Sequence, residues 1–255
     1  MAALHQQPDI SEEAMVSAVE EHVIYQIANA RIREYPFPHI YVDNIFPADF
    51  YARMRENWPD GSAFVPLGDT GRVPKGAYPE RFVLPITPEG LDTLTPERQV
   101  FWREFAGWFA AQNFCMSMID KFITQVRGRL GGDLENCGFG ADALAVRDLT
   151  NYSIGPHTDA PHRLITMLFY CPPDDSRPHL GTSIFWPLQD DFRCKGGPHY
   201  PFDRFKKITT MPYRRNALFA FFKDESSFHG VEPIPDLNCI RDLILYDVRV
   251  MGTDR

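Results

Sequence analysis

Residues 151–170 read NYSIGPHTDAPHRLITMLFY. A turn-forming segment leads into His157-Thr158-Asp159, and the run 163–170 that follows is rich in β-branched and aromatic residues. Such a run, bounded by turn residues, predicts a β-strand. Residues two positions apart in an extended segment point to the same face, so His157 and Asp159 can approach one ligand together.

The parts of the chain before and after about residue 130 have different sequence patterns. Before about residue 130 the apolar residues recur at helical spacing, and the Gly- and Pro-rich residues 61–93 are predicted as a long ordered loop. The later part contains short β-rich runs separated by turns, which are typical of an antiparallel sandwich or barrel. These runs cover residues 143–152, 163–171, 183–186, 217–222 and 241–250. We therefore predict an α+β fold in a single domain, residues 1–255, with 1–130 as a mainly helical support region and 131–255 as the β-core.

The composition excludes some classes of protein. Hydrophobic residues make up 44% of the 255 residues, which excludes global disorder. Asp and Glu outnumber Lys and Arg by 34 to 26, giving a formal net charge of −8. This balance argues against nucleic acid as a partner, because nucleic-acid binding usually depends on a basic face.

The cysteine content and the N-terminal residues indicate the cellular compartment of the protein. The five cysteines are odd in number and form no C-x-x-C pair, which indicates free thiols. Residues 1–14 lack the basic and apolar blocks of a signal peptide. No apolar run approaches the roughly 20 residues of a membrane span. The sequence thus predicts a cytoplasmic protein that does not enter a membrane.

A second histidine and an arginine follow the His-x-Asp triplet at a distance. His229 closes a strand-like region, and Arg241 begins the most β-like run of the chain. Two imidazoles and one carboxylate on one face of a metal ion form the facial triad of non-haem Fe(II) oxygenases, which leaves three coordination positions open. We therefore predict His157, Asp159 and His229 as metal ligands.

With these residues in place, the segment from Asn151 to Val250 resembles the double-stranded β-helix, a jelly-roll or cupin-like barrel, of the Fe(II)/2-oxoglutarate-dependent dioxygenases. The similarity is greatest to the prolyl-hydroxylase-like branch. The matching residues are Tyr152-x-x-Gly155, His157-x-Asp159, the strand 164–170, Gly181-Thr182-Ser183-Ile184-Phe185, His229-Gly230-Val231 and Arg241.

The resemblance implies roles for individual residues. It implies that His157, Asp159 and His229 form the catalytic iron site, with 2-oxoglutarate and dioxygen as co-substrates. Arg241 would pair with the distal carboxylate of 2-oxoglutarate, since a guanidinium fork suits a bidentate carboxylate contact. Tyr152, Tyr170 and Thr166 would complete the co-substrate contacts. The strand face that Thr166 shares with Leu168 and Tyr170 would line the pocket.

Two features depart from the family pattern. The family often has a Gly-Gly pair where this chain has Leu180-Gly181, so we expect a different turn there. The connection to the second histidine is also long. It contains the one locally basic stretch of the chain. This stretch is interpreted either as a solvated face or as a lid that attracts an anionic substrate. The basic residues are Arg193, Lys195, Arg204, Lys206, Lys207, Arg214 and Arg215.

The predicted function is an Fe(II)/2-oxoglutarate-dependent oxygenase that hydroxylates an unactivated C–H bond of a small-molecule or peptidyl substrate, releasing succinate and CO2. Asp159 favours hydroxylation over halogenation, because halogenases of this family carry Ala or Gly at that position. Desaturation, ring formation and demethylation stay open on the same centre. The alternative from another class is a non-catalytic or zinc-bound jelly-roll module that binds a sugar or a peptide.

Other residues receive simpler interpretations. Arg163 is a candidate substrate contact because it follows the triplet closely. Trp102, Phe105, Trp108 and Phe109 are predicted as the buried face of a helix. The remaining candidate histidines are interpreted as surface or core residues: His22, His39, His162, His179 and His199.

Overall fold

The computed structural model describes residues 12–131, 134–235 and 237–251. Residues 1–11, on which much of the signal-peptide prediction rests, lie outside that part of the chain. The described helices are α1 Glu12–Asn29, α2 Ala48–Glu56, α3 Pro88–Leu91, α4 Pro96–Phe109, α5 Gln112–Lys121 and α6 Ile123–Leu130. The described strands are β1 His39–Asp43, β2 Val65–Pro66, β3 Arg81–Pro85, β4 Gly138–Leu149, β5 Ile154–His157, β6 Arg163–Tyr170, β7 Ser183–Pro187, β8 Phe205–Thr210, β9 Ala217–Phe222, β10 His229–Val231 and β11 Ile240–Met251.

The strands form two antiparallel sheets. The large sheet has seven strands in the order β1-β9-β6-β11-β4-β3-β2, and the small sheet has four in the order β5-β10-β7-β8. Side chains of both sheets share one apolar cluster, in which Leu168 and Phe219 of the large sheet join Ile184 and Val231 of the small one. The two sheets therefore enclose a common interior, as in a double-stranded β-helix. With six helices outside it in the described part of the chain, the predicted α+β fold class is confirmed.

Strand alternation decides which side chains face the interior. On β6, Met167 and Phe169 belong to the cluster that packs on the helices, whereas Leu168 and Tyr170 belong to the cluster between the sheets. Successive residues of a strand point to opposite faces, so Thr166 joins Leu168 and Tyr170 on the interior side. The same rule places the odd-numbered residues of β11, from 241 to 249, on the interior side.

The helices cover the outer face of the large sheet. Trp102, Phe105, Trp108 and Phe109 of α4 are all buried, and Phe109 contacts Tyr246 of β11 with ring centroids 4.9 Å apart. This confirms the predicted apolar helix face. Truncating one of these aromatic residues to alanine removes about 3–5 kcal/mol of stability in comparable cores.

The first half of the chain also contributes strands. The prediction of a loop over residues 61–93 is wrong where this segment forms β2, β3 and α3. Strand β3, Arg81–Pro85, pairs antiparallel with β4. The Gly and Pro residues around it masked a short run that Val83 and Leu84 anchor, since both are buried. At the opposite edge, β1 pairs with β9. Within the described residues no helix is long and apolar enough to cross a bilayer.

The long connection after β7 returns to support the triplet. Thr158 Oγ1 donates to the Cys194 carbonyl at 2.8 Å, and Tyr200 N donates to the Pro156 carbonyl at 2.9 Å. Gly196 has φ +130°, and a Cβ there would lie 2.2 Å from the Asp159 carbonyl oxygen. A side chain at this position would therefore displace the backbone of the triplet.

Candidate metal centre and cavity

Two histidines meet across the small sheet. His157 ends β5 and His229 begins β10, and the two residues are direct register partners with ring centroids 4.3 Å apart. His157 Nδ1 lies 2.9 Å from the Gly155 carbonyl, and His229 Nδ1 lies 3.0 Å from the Ser227 carbonyl. A carbonyl only accepts, so each Nδ1 is the donor and each Nε2 is the ring nitrogen that could bind a metal ion.

The carboxylate of Asp159 lies beside the two imidazoles. Its Oδ2 is 3.7 Å from His229 Nε2 and accepts a hydrogen bond from Thr166 Oγ1 at 2.8 Å. Its Oδ1 accepts from Arg163 Nη1 at 3.0 Å. Burial alone would raise the pKa of Asp159, but the positive groups around it and the Thr166 hydrogen bond hold that pKa below its usual range. The carboxylate is therefore ionised at neutral pH.

The three side chains supply the donor set that a divalent metal ion requires. One ligand atom each from His157, Asp159 and His229 lies within 4.8 Å of the others, and all three residues are buried. Burial and the neighbouring His229 keep the pKa of His157 well below its ordinary value, so this imidazole is neutral. Two imidazole nitrogens and one carboxylate suit Fe(II), and they also suit zinc.

A cavity of about 490 Å³ opens beside this cluster, between the sheets. Leu144, Val146, Leu168 and Leu245 form an apolar band along its wall. Five arginines also line it, whereas Asp159 is the one acidic side chain among its described lining residues. The arginines are Arg72, Arg81, Arg163, Arg241 and Arg249.

Arg241 lies at the closed end of the cavity. Its side chain is 1% exposed and is held at three points. Nε donates to the Leu180 carbonyl at 2.6 Å, Nη1 to Asp148 Oδ2 at 2.7 Å and Nη2 to Thr182 Oγ1 at 3.3 Å. The turn at Leu180-Gly181, where the chain departs from the Gly-Gly pattern, thus contributes directly to positioning this guanidinium.

Arg81 shares the same carboxylate, and no sequence signal pointed to it. It donates to Asp148 Oδ1 at 2.6 Å and to Oδ2 at 2.9 Å, and its guanidinium carbon lies 4.2 Å from the centre of the Tyr152 ring. Two arginines therefore neutralise one aspartate, which leaves an excess positive charge at the closed end. Residues 61–93 were predicted as a loop, so the strand that Arg81 begins was not recognised.

The two predicted tyrosines occupy different positions. Tyr152 lines the cavity, and its buried hydroxyl has no hydrogen-bond partner among the described residues. Tyr170 does not line the cavity. Its hydroxyl accepts from Thr182 N at 3.0 Å, and its ring lies 5.8 Å from the Arg241 guanidinium carbon. Of the two, Tyr152 is the one that offers a free hydroxyl to a ligand.

The opposite end of the cavity carries an ion-pair network. Arg163 Nη2 lies 3.0 Å from Asp247 Oδ2, and Arg249 Nη2 lies 2.6 Å from Asp142 Oδ2. Arg72 donates to both oxygens of Asp142. Arg163, the candidate substrate contact, thus lies between the proposed metal carboxylate and this network.

Two histidines interpreted as surface or core residues line the cavity. The His199 ring centroid is 4.5 Å from that of His157, and its Nδ1 is 2.7 Å from the Tyr78 hydroxyl. His162 lines the same cavity. Both residues are exposed, as the surface interpretation predicts, and their place at the cavity is the added finding. A loop carries His199 to His157 across 42 positions, which leaves no periodic signal in the sequence.

The basic stretch lies elsewhere. None of its seven basic side chains is among the described lining of the cavity, and Lys206 and Lys207 are exposed on the small sheet. The lid interpretation is not supported by this placement. The segment instead buttresses the triplet through the backbone contacts of Cys194, Gly196 and Tyr200 given above.

The chain is similar to several solved structures, at low sequence identity and with TM-scores below 0.5. A prolyl hydroxylase from Trichoplax adhaerens, in complex with a hypoxia inducible factor peptide fragment, is 15% identical with a TM-score of 0.47, covering 96% of this chain and 94% of that one. A prolyl-4-hydroxylase from Pseudomonas putida is 14% identical with a TM-score of 0.47, covering 93% and 100%. HygX from Streptomyces hygroscopicus, with nickel and 2-oxoglutarate bound, is 12% identical with a TM-score of 0.46, covering 84% and 83%. No family profile and no curated protein matches the chain in sequence.

Proposed function

We propose that this protein is an Fe(II)/2-oxoglutarate-dependent oxygenase that hydroxylates a C–H bond of a small organic substrate. One observation carries the proposal: three buried metal-type ligand atoms within 4.8 Å of one another face a cavity that holds an excess of arginine. The motif resemblance of residues 151–250 supports the same conclusion. A purely structural role would not require such a cavity beside ionisable groups.

His157, Asp159 and His229 are the proposed metal ligands. Their outer contacts fix them before any ion binds, because two backbone carbonyls orient the imidazoles while Thr166 and Arg163 orient the carboxylate. Bound there, Fe(II) would couple the decarboxylation of 2-oxoglutarate to succinate and CO2 with transfer of one oxygen atom from dioxygen to the substrate.

The closed end of the cavity is the proposed site for the distal carboxylate of 2-oxoglutarate. Arg241 and Arg81 supply a net positive charge there after pairing with Asp148. The unpartnered Tyr152 hydroxyl can donate to the same carboxylate. Burial raises the pKa of Tyr152, so the phenol keeps its proton and acts as a donor.

Anaerobic titration tests the proposal. Adding Fe(II) and then 2-oxoglutarate to the protein should produce a weak visible charge-transfer band, and admitting air should produce succinate. Both signals should vanish in His157→Ala, which lacks one ligand. They should persist in His179→Ala, a matched control that removes an exposed histidine outside the cavity.

The competing binding-module hypothesis makes the opposite prediction. A zinc-bound or metal-free jelly-roll module would show neither the band nor succinate formation in the unmodified protein. That result would overturn the oxygenase assignment. If succinate forms but the substrate product carries no added oxygen atom, the oxygenase class stands and the outcome is desaturation or ring formation instead of hydroxylation.

A further inference from the structure

The open end of the cavity presents two arginines side by side. Arg163 of β6 and Arg249 of β11 are register partners in the large sheet. Both line the cavity, although a register irregularity falls between Val248 and Arg249. Arg72 reaches the same end from the segment between β2 and β3. Three guanidinium groups from separate parts of the chain therefore converge at one place.

Two hydrogen-bond donors at this end lack acceptors. Arg163 Nε and Arg249 Nε are both buried, and neither has a partner among the described residues. Buried polar groups in folded proteins are nearly always paired, and both arginines belong to the cavity lining, so their two unpaired N–H groups favour an oxyanion as the ligand at this end. Two such donors on neighbouring guanidinium groups suit a ligand with more than one acceptor oxygen.

The acidic partners of these arginines do not occupy the ligand side. Asp142 and Asp247 bind the terminal nitrogens of the arginines, and neither aspartate is among the cavity-lining residues. Both aspartates hold the guanidinium groups in place through these ion pairs. Three arginines against two aspartates leave one positive charge at this end, once Asp159 is assigned to a metal ion as proposed above.

We propose that this open end binds an oxyanion of the substrate, a carboxylate or phosphate group, through Arg72, Arg163 and Arg249. The inference rests on the proposed function and names its substrate class, an anionic small molecule. The cavity volume of about 490 Å³ falls within the range of small-molecule sites. The apolar band between the two ends, with Leu168 and Leu245, would contact the carbon skeleton of that substrate.

The test uses inorganic phosphate and acetate as probes, titrated calorimetrically into the protein. Each titration is run on the metal-free protein and again with Mn(II) and saturating 2-oxoglutarate under nitrogen. Arg249→Gln and Arg72→Gln should each weaken binding of the preferred probe about ten-fold or more, because each removes charge-assisted hydrogen bonds. Lys206→Gln, which removes an exposed charge outside the cavity, should leave the affinity unchanged.

The outcomes separate the two proposals. Equal probe affinity in all four proteins, or an equal loss in Lys206→Gln, overturns the oxyanion site. Arg72 is an exposed residue, so Arg72→Gln keeps the test valid if Arg249→Gln fails to fold. Specific probe binding without the charge-transfer band overturns the oxygenase function but not the site. Stronger binding of phosphate or of acetate assigns the substrate anion as a phosphate or a carboxylate.

Discussion

The two ends of the cavity contain the same kinds of side chain in different settings. At the closed end, Arg241 and Arg81 share a single aspartate that is completely buried. At the open end, three arginines and two aspartates form a network whose arginine side chains are 24–32% exposed. The buried ion pairs of the closed end are shielded from solvent. The arginines of the open end are accessible to a ligand that enters from solvent.

The largest expected effect concerns the shared aspartate. Asp148→Ala leaves two buried guanidinium groups without a counter-charge, which should cost about 3–5 kcal/mol of unfolding free energy. Asp142→Ala at the open end should cost about 1 kcal/mol, because its arginine partners can turn to water. Urea denaturation of both variants measures the difference. Equal losses would contradict the distinction between the two ends.

Substitutions at the two ends of the cavity should also differ in their effect on 2-oxoglutarate binding. Arg241→Gln should weaken 2-oxoglutarate binding about ten-fold or more, since it would remove the proposed charge-assisted hydrogen bonds to the distal carboxylate, while Mn(II) affinity changes little. Arg249→Gln should leave 2-oxoglutarate affinity nearly unchanged. Calorimetry with Mn(II) in place of iron measures both constants. If Mn(II) and 2-oxoglutarate binding fall together in Arg241→Gln, the role proposed for Arg241 is wrong.

At the open end, Asp247 should make the stability of the folded protein depend on pH. Burial raises the pKa of Asp247 from the ordinary 3.8 to about 6, although Arg163 opposes the shift. The folded protein then takes up this proton at higher pH than the unfolded chain does, so it gains stability as pH falls from about 6 to about 4. Relative to Asp247→Asn, the gain should be on the order of 2 kcal/mol. Denaturation midpoints at pH 7 and pH 4.5 test the sign. A relative loss of stability at pH 4.5 would contradict it.

The smallest expected effect concerns Mn(II) binding and Thr166, which lies between the two ends of the cavity. Thr166→Val keeps the shape of the side chain but removes the hydrogen bond to Asp159 Oδ2. The carboxylate then loses one of its orienting contacts, which should weaken Mn(II) binding about ten-fold. Thr182→Val removes a hydroxyl near Arg241 instead and serves as the matched control, with unchanged Mn(II) affinity. Metal titration of both variants checks the pair.

The sequence predicted some residues of the site and not others. The spacing of His157 and Asp159, with His229 on a later strand, was sufficient to predict that three side chains converge, because strand alternation and barrel closure are general rules. Arg241 was predicted from the family resemblance, which implies a basic residue shortly after His229. Arg81 was missed, since it approaches Asp148 from a strand 67 positions away that flanking Gly and Pro residues concealed. His199 was missed because a loop, not a periodic element, carries it to His157.

The pairing of the sheet edges has a consequence for the stability of the β-core against association. The first 130 residues supply β1 beside β9 at one edge of the large sheet, and β3 and β2 beside β4 at the other. Without them, β9 and β4 would present open rows of backbone N–H and C=O groups, which are templates for pairing with other chains. The N-terminal strands therefore protect both edges of the sheet. A fragment containing residues 131–255 alone is expected to aggregate through these exposed edges.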